Sequence, residues 1–193
     1  MKFTRRTSIR DVAAAVGRAL REAGFDAVLT GGACATIYSH GAYVSHDLDF
    51  IIRAGGGRAA LDAALAGLGF KRAHDRYVHP DTPFFVEFPR GPLSIGNDTN
   101  IRPVDLKIGR ISIPALSATD SCRDRLAAFY HWSDRQSLRS AVDIAVRSAV
   151  SRLLFLVKAA TSCTSRFTTA RSSAPPMEAR HGRSSRLRER GRR

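Results

Sequence analysis

The sequence predicts an α/β (α+β) protein: a small mixed β-sheet flanked by helices, then a C-terminal helical segment and a basic tail expected to be disordered. Three observations carry that expectation. Apolar residues recur at helical spacing over residues 8–23 and 58–68. Between them, residues 28–53 (VLTGGACATIYSHGAYVSHDLDFIIR) read as a strand, a glycine turn, a short helix, a loop and a second strand. Further on, the short apolar runs at 84–88 and 104–113 are bounded by turn formers, as strands are. The expected division is a core over residues 1–118, a helical segment over 119–160 and a low-complexity tail over 161–193.

Each element has a local reason. Ser8 and Asp11 make an S-x-x-D cap, Ile9, Val12, Val16 and Leu20 form one stripe, and Gly24 stops the helix. Its expected role is to pack on the sheet. Val28-Leu29 leads into Gly31-Gly32, after which Ala33, Ala35, Ile37 and Tyr38 suit a short helix over 31–39. Leu48, Phe50, Ile51 and Ile52 give the next strand an apolar body. Gly55-Gly56-Gly57 is a connection, because it lacks the Gly-Lys-Ser/Thr ending of a phosphate loop. Leu61, Leu65 and Leu68 then form the buried stripe of a helix ended by Gly69. Residues 70–79 read as one edge strand, 84–88 as an apolar strand, and 89–103 as a long turn-rich loop in which Arg90 and Arg102 are candidates to reach phosphates. Residues 104–108 and 111–113 form a hairpin around Gly109. Ser117 and Asp120 cap a helix whose inward stripe is Cys122, Leu126, Phe129 and Tyr130, and residues 137–146 continue as helix.

Bulk properties narrow the function classes. The 193 residues are 44% hydrophobic, enough for one domain with an appendage. No apolar run approaches the roughly 18 residues of a membrane span, and MKFTRRTSIR lacks a signal core, so a cytoplasmic protein with no membrane partner is expected. Cys34, Cys122 and Cys163 have neither pairing arithmetic nor metal-ligand spacing and read as small apolar residues. The net charge of +14 is uneven: residues 147–193 hold 12 Lys/Arg against Glu178 and Glu189, whereas residues 1–146 hold 19 basic against 15 acidic residues. Residues 161–193, rich in Ser, Thr and Arg, show no apolar period and cannot offset the entropy of ordering. That tail is either a basic arm for RNA or an out-of-frame ending, since GC-rich genes read out of frame give Arg/Ser/Ala-rich text.

The chemistry-bearing residues cluster around residue 47. Asp47 and Asp49 share one face of a strand, with Cα atoms roughly 6.5–7 Å apart, a spacing that suits hard divalent cations. Two acids in an apolar strand need a partner, because unpaired buried charge is costly. Gly31 and Gly32 allow backbone amides to approach a phosphate at a helix N-terminus. A phosphate cradle followed by a two-acid grip is a layout for phosphoryl or nucleotidyl transfer. Glu87, alone among aromatics in its strand, is a third carboxylate if that strand lies beside Asp47 and Asp49; otherwise it pairs with Arg53 or Arg72. Asp105 is the reserve for that place, or a surface partner of Lys107. Ser45 is a candidate phosphate contact, and His40 and His46 read as loop residues or substrate contacts, because Mg²⁺ prefers oxygen.

The order Gly-Gly, then apolar-Asp-apolar-Asp-apolar, resembles the DNA polymerase β-like nucleotidyltransferase superfamily, on Gly31, Gly32, Asp47 and Asp49. Within it the chain looks closest to the small bacterial AbiEii-like nucleotidyltransferases and their uncharacterised relatives. The fourteen residues between Gly32 and Asp47 slightly exceed that family's usual gap. The resemblance spans residues 8–146 and stops near there. It implies metal-dependent transfer of a nucleoside monophosphate from an NTP. Asp47, Asp49 and Glu87 would hold two Mg²⁺, Gly31, Gly32 and Ser45 would seat the phosphates, and Arg125 would offset their charge. The helix at 119–132 would then carry a basic residue where relatives usually have lysine, with Asp134 opening the next segment. Arginine clamps phosphate but does not donate a proton as lysine can. The same two residues otherwise read as an Arg125–Asp134 salt bridge, with Arg135–Asp124 as its alternative. Acceptors implied are tRNA or other RNA, a protein hydroxyl or a small molecule, with a cognate antitoxin as a candidate partner. The other reading is a catalytically inactive nucleotide- or RNA-binding relative.

Overall fold

A computed structural model describes residues 2–148. The expectations for the basic tail, for the helical segment past residue 148 and for Cys163 lie outside the described residues. The elements in chain order are α1 (Ile9–Glu22), β1 (Asp26–Thr30), α2 (Gly31–Tyr38), β2 (Asp47–Ala54), α3 (Arg58–Ala66), β3 (Lys71–Ala73), β4 (Arg76–Val78), β5 (Phe85–Glu87), β6 (Val104–Ile108), β7 (Ile111–Ala115), α4 (Ala118–Trp132) and α5 (Arg135–Arg147). The strands form one seven-stranded sheet in the order β3-β4-β5-β2-β1-β7-β6. It is mixed: β1 with β7 and β2 with β5 are parallel, and the other neighbours are antiparallel.

The caps act as their residue types require. Ser8 Oγ accepts from the Asp11 amide at 3.2 Å and donates to its carboxylate at 2.7 Å. Ser117 and Asp120 repeat the pattern at α4, at 3.0 and 2.8 Å. The stripe Ile9, Val12, Val16 and Leu20 is buried, as are Leu48, Phe50, Leu61 and Leu65, so α1, α3 and the middle of β2 share one core. Cys122, Ala141 and Ile144 form a second, smaller cluster with Ala35, by which α4 and α5 pack on α2.

Two expectations are corrected, and the long loop over 89–103 is as expected but anchored. Residues 70–79 are not one strand but the hairpin β3–β4, turning at His74-Asp75, where His74 has φ +59°. Tyr130 does not face inward; it is 61% exposed, because α4 runs past the core at its C-terminal end and leaves Trp132 81% exposed as well. Most of residues 89–103 is irregular, but the loop is anchored: an Ile95–Asp98 bridge closes it, Leu93, Ile95 and Ile101 enter the core, and Asp98 meets Arg123 of α4 at 2.6 Å.

Candidate active site

β2 and β5 run parallel with Asp47 opposite Phe85 and Asp49 opposite Glu87. Residues paired across strands project to the same face, so Asp47, Asp49 and Glu87 form one carboxylate face while Leu48 and Val86 enter the core behind it. The mutual effects agree with that geometry. Burial, then repulsion from Asp47 and Glu87, pushes Asp49 up to about 7, although the Arg125 guanidinium opposes the shift. Burial, with Asp47 and Asp75, also raises Glu87, opposed by Arg76.

The glycine pair stands against the same face. Gly31 has φ +63°, and a Cβ there would overlap the Asp49 carboxylate. A Cβ on Gly32 would overlap Ser45 Oγ and come within 3.2 Å of Asp47 Oδ1. These positions are therefore glycine for a reason beyond the turn: α2 begins where the carboxylates converge. Its N-cap, Thr30, makes no side-chain cap and its first turn has no acid, so the opening amides are not claimed by side chains.

The remaining sequence candidates divide. Ser45 does not stand open for phosphate; its hydroxyl donates to Asp47 and its amide to Thr36 Oγ1 at 3.0 Å, which fixes the Asp47 rotamer. Arg125 is brought to the face, but its ion pair is with neither Asp134 nor any other expected partner. It meets Asp124, next in the chain, at 2.7 Å. Burial alone would lower its guanidinium, and Asp124, with Tyr43 and Asp49, raises it net. Asp134 instead caps α5, accepting from the Gln136 amide at 2.9 Å and the Ser137 hydroxyl at 2.6 Å.

Asp105 does not join that face: it lies on edge strand β6 opposite Pro114, and β7 and β1 separate β6 from β2. Glu87 pairs with neither Arg53 nor Arg72; Arg53 meets Asp26 at 2.8 Å. His46 packs its ring near Phe84, and His40 ends the turn after α2. Arg90 lines a cleft with Phe25, Ile52, Arg58 and Phe88, at the far end of β2 from Asp47. Among the described residues, no three His, Cys, Asp or Glu side chains are already gathered closely enough to hold a metal ion. Asp47, Asp49 and Glu87 do share one face, and carboxylate oxygens are the donor type a hard cation takes.

Sequence reasoning missed Tyr43 beside Arg125 and Arg76 beside Glu87, and offered Asp124 only as a partner of Arg135. Asp124-Arg125 adjacency was legible as a pair. Arg76 was not, because its face depends on recognising His74-Asp75 as a turn.

No protein-family model and no curated protein matches this chain. Solved structures do. An antigenic nucleotidyltransferase-like protein from Paracoccidioides brasiliensis superposes with a TM-score of 0.56 at 15% identity, over 73% of this chain and 77% of the neighbour. ANT(2")-Ia in complex with adenylyl-2"-tobramycin superposes with a TM-score of 0.51 at 12% identity, over 81% of this chain and 97% of the neighbour. At such identities the likeness is one of architecture, and the mixed sheet with its flanking helices has the nucleotidyltransferase-like fold.

Proposed function

We propose that the chain is a metal-dependent nucleotidyltransferase. The observation that carries this reading is the face shared by Asp47, Asp49 and Glu87 on adjacent parallel strands, directly beside the Gly31-Gly32 turn. The neighbour solved with adenylyl-2"-tobramycin supports it by fold.

In the proposed reaction an acceptor hydroxyl oxygen attacks the α-phosphorus of an NTP. The new P–O bond forms in line as the bond to the β-phosphate oxygen breaks, and pyrophosphate leaves with that electron pair. Asp47, Asp49 and Glu87 would hold Mg²⁺, which when bound neutralises the phosphates and acidifies the attacking hydroxyl. Burial and the charges of Asp47 and Glu87 raise Asp49 to about 7 in the metal-free chain; a bound cation would favour its ionised form, so the acceptor's proton would pass to solvent. Ser45 is a positioning residue that holds Asp47. The opening amides of α2 receive phosphate oxygens, with Arg125, stored on Asp124, as the cation on that flank. The finer identity, an AbiEii-like, toxin-like protein acting in the cytoplasm on tRNA, other RNA or protein and held by an antitoxin, rests on the residue order around the glycine and aspartate pairs.

The test is incubation with each labelled NTP, Mg²⁺ and total RNA or protein extract. Transfer that disappears in Asp49→Asn supports the reading; transfer that survives in that variant refutes it. One observation favours the second reading, a nucleotide- or RNA-binding protein without chemistry: the carboxylates are not gathered into a closed metal site. Under that reading the parent binds NTP but labels nothing.

A further inference from the structure

Beyond Glu87 the carboxylate face continues onto the β3–β4 hairpin, and its charge changes sign. The register sets the rows. One row runs Ala73, Arg76, Glu87, Asp49; the next runs Lys71, Val78, Phe85, Asp47. The intervening Tyr77 and Val86 are buried in the core, so the named side chains all project to the acid-bearing side. Lys71 and Arg76 are exposed. The Arg76 guanidinium lies 4.6 Å above the Phe85 ring and, among the described residues, forms no salt bridge, although Glu87 is its cross-strand neighbour. Asp75, beside it in the turn, acts on Glu87.

We propose that Lys71, Arg76 and Phe85 form the acceptor subsite, and that the acceptor carries a phosphate group near its reacting hydroxyl. This rests on the function proposed above and names the substrate class of the same site. Gly31, Gly32 and Arg125 occupy the β1 and α4 flank of the carboxylates, which leaves the β5–β4 flank for the nucleophile. On that flank a polycationic acceptor meets two cations of its own sign. A phosphate finds two charged donors, one of them a planar fork held in place by an aromatic ring. Arg76 and Lys71 lie one and two strands beyond β5, so a hydroxyl a few bonds from the phosphate reaches the β2 carboxylates, while Arg76, which acts on Glu87 across the strand pair, offsets that acid's repulsion of the phosphate. The hydroxyl oxygen bonds to the α-phosphorus, its proton passes to solvent, and pyrophosphate departs; the acceptor's phosphate is unchanged.

The experiment uses the full chain and three acceptors: a nucleoside 5′-monophosphate, a short 5′-phosphorylated oligoribonucleotide and tobramycin. The first two separate a free nucleotide from a strand end as the source of the phosphate. Lys71→Glu/Arg76→Glu and the milder Arg76→Gln are compared with the parent. Lys107→Glu/Arg110→Glu is a control of equal charge on the opposite edge. The expected result is a rise of at least about tenfold in acceptor KM for the double variant. A smaller rise is expected for Arg76→Gln, with NTP KM unchanged and the control like the parent. An unchanged acceptor KM, an equal loss in the control, or a parent that prefers tobramycin overturns the subsite. If the parent transfers nothing, the proposed chemistry fails, and equilibrium binding of the oligoribonucleotide decides the subsite separately. Weakening of about tenfold in the double variant alone upholds it, and unchanged binding overturns it.

Discussion

Asp49 stands where burial, two like charges and one arginine meet, and its rise to about 7 makes the stability of the metal-free chain depend on pH. Its unfolded reference is 3.8, so between about pH 4 and 7 the folded chain holds a proton that the unfolded chain has released. The associated stability is complete below about pH 4 and is lost as pH rises toward and through 7. Thermal melts without divalent cations are expected to show Tm falling over that range, and Asp49→Asn to flatten the fall. At pH 8 that variant is expected to be more stable than the parent by on the order of 2 kcal/mol, while Mg²⁺ raises Tm in the parent only. Transfer in the presence of Mg²⁺ is expected to drop at least about 100-fold in Asp49→Asn. Gly32→Ala is a separate test: its methyl would overlap Ser45 Oγ, so urea unfolding should register a loss of about 1–3 kcal/mol. At this scale Asp47, Asp49 and the glycines were legible, because a two-residue period and a turn dipeptide are local facts. The reason for the glycines was not, since the atoms they avoid belong to side chains 13 to 18 positions away.

Among the elements, α4 bears two arginines with different tasks. Arg123 is 3% exposed and meets Asp120 at 2.7 Å and Asp98 at 2.6 Å, so it fastens the 89–103 loop to the helix. Arg125, two positions on, reaches the site. Replacing Arg123 with Met strands the buried Asp120 and is expected to cost about 3–5 kcal/mol in urea unfolding. Arg125→Met removes the cation proposed for the phosphate flank and is expected to lower transfer with a smaller change in stability. The capped helices and the two-acid strand were readable because caps and periods are written within a few residues. The β3–β4 hairpin was not: three-residue strands have too few positions to show alternation, and a His-Asp turn lacks the glycine or proline that marks most turns.

For the whole molecule, charge is the feature that the sequence distributes most unevenly. Residues 147–193 supply 12 of the 31 basic residues but only two of the 17 acids. A chain ended at Ser148 is expected to bind bulk RNA with a shallower dependence on salt than the full chain, measured by titration between 50 and 200 mM salt. Among the described residues no helix is long and apolar enough to cross a membrane. Composition, periodicity and the glycine–aspartate order, all local in the chain, by themselves determined the α/β class, the placement of most helices and the two aspartates that share a face. Tertiary structure alone decided which further acid stands beside Asp47 and Asp49. Glu87 and Asp105 are equivalent as apolar-strand carboxylates, and only the strand order, fixed by which faces bury together, brings β5 beside β2 and sends β6 to the edge.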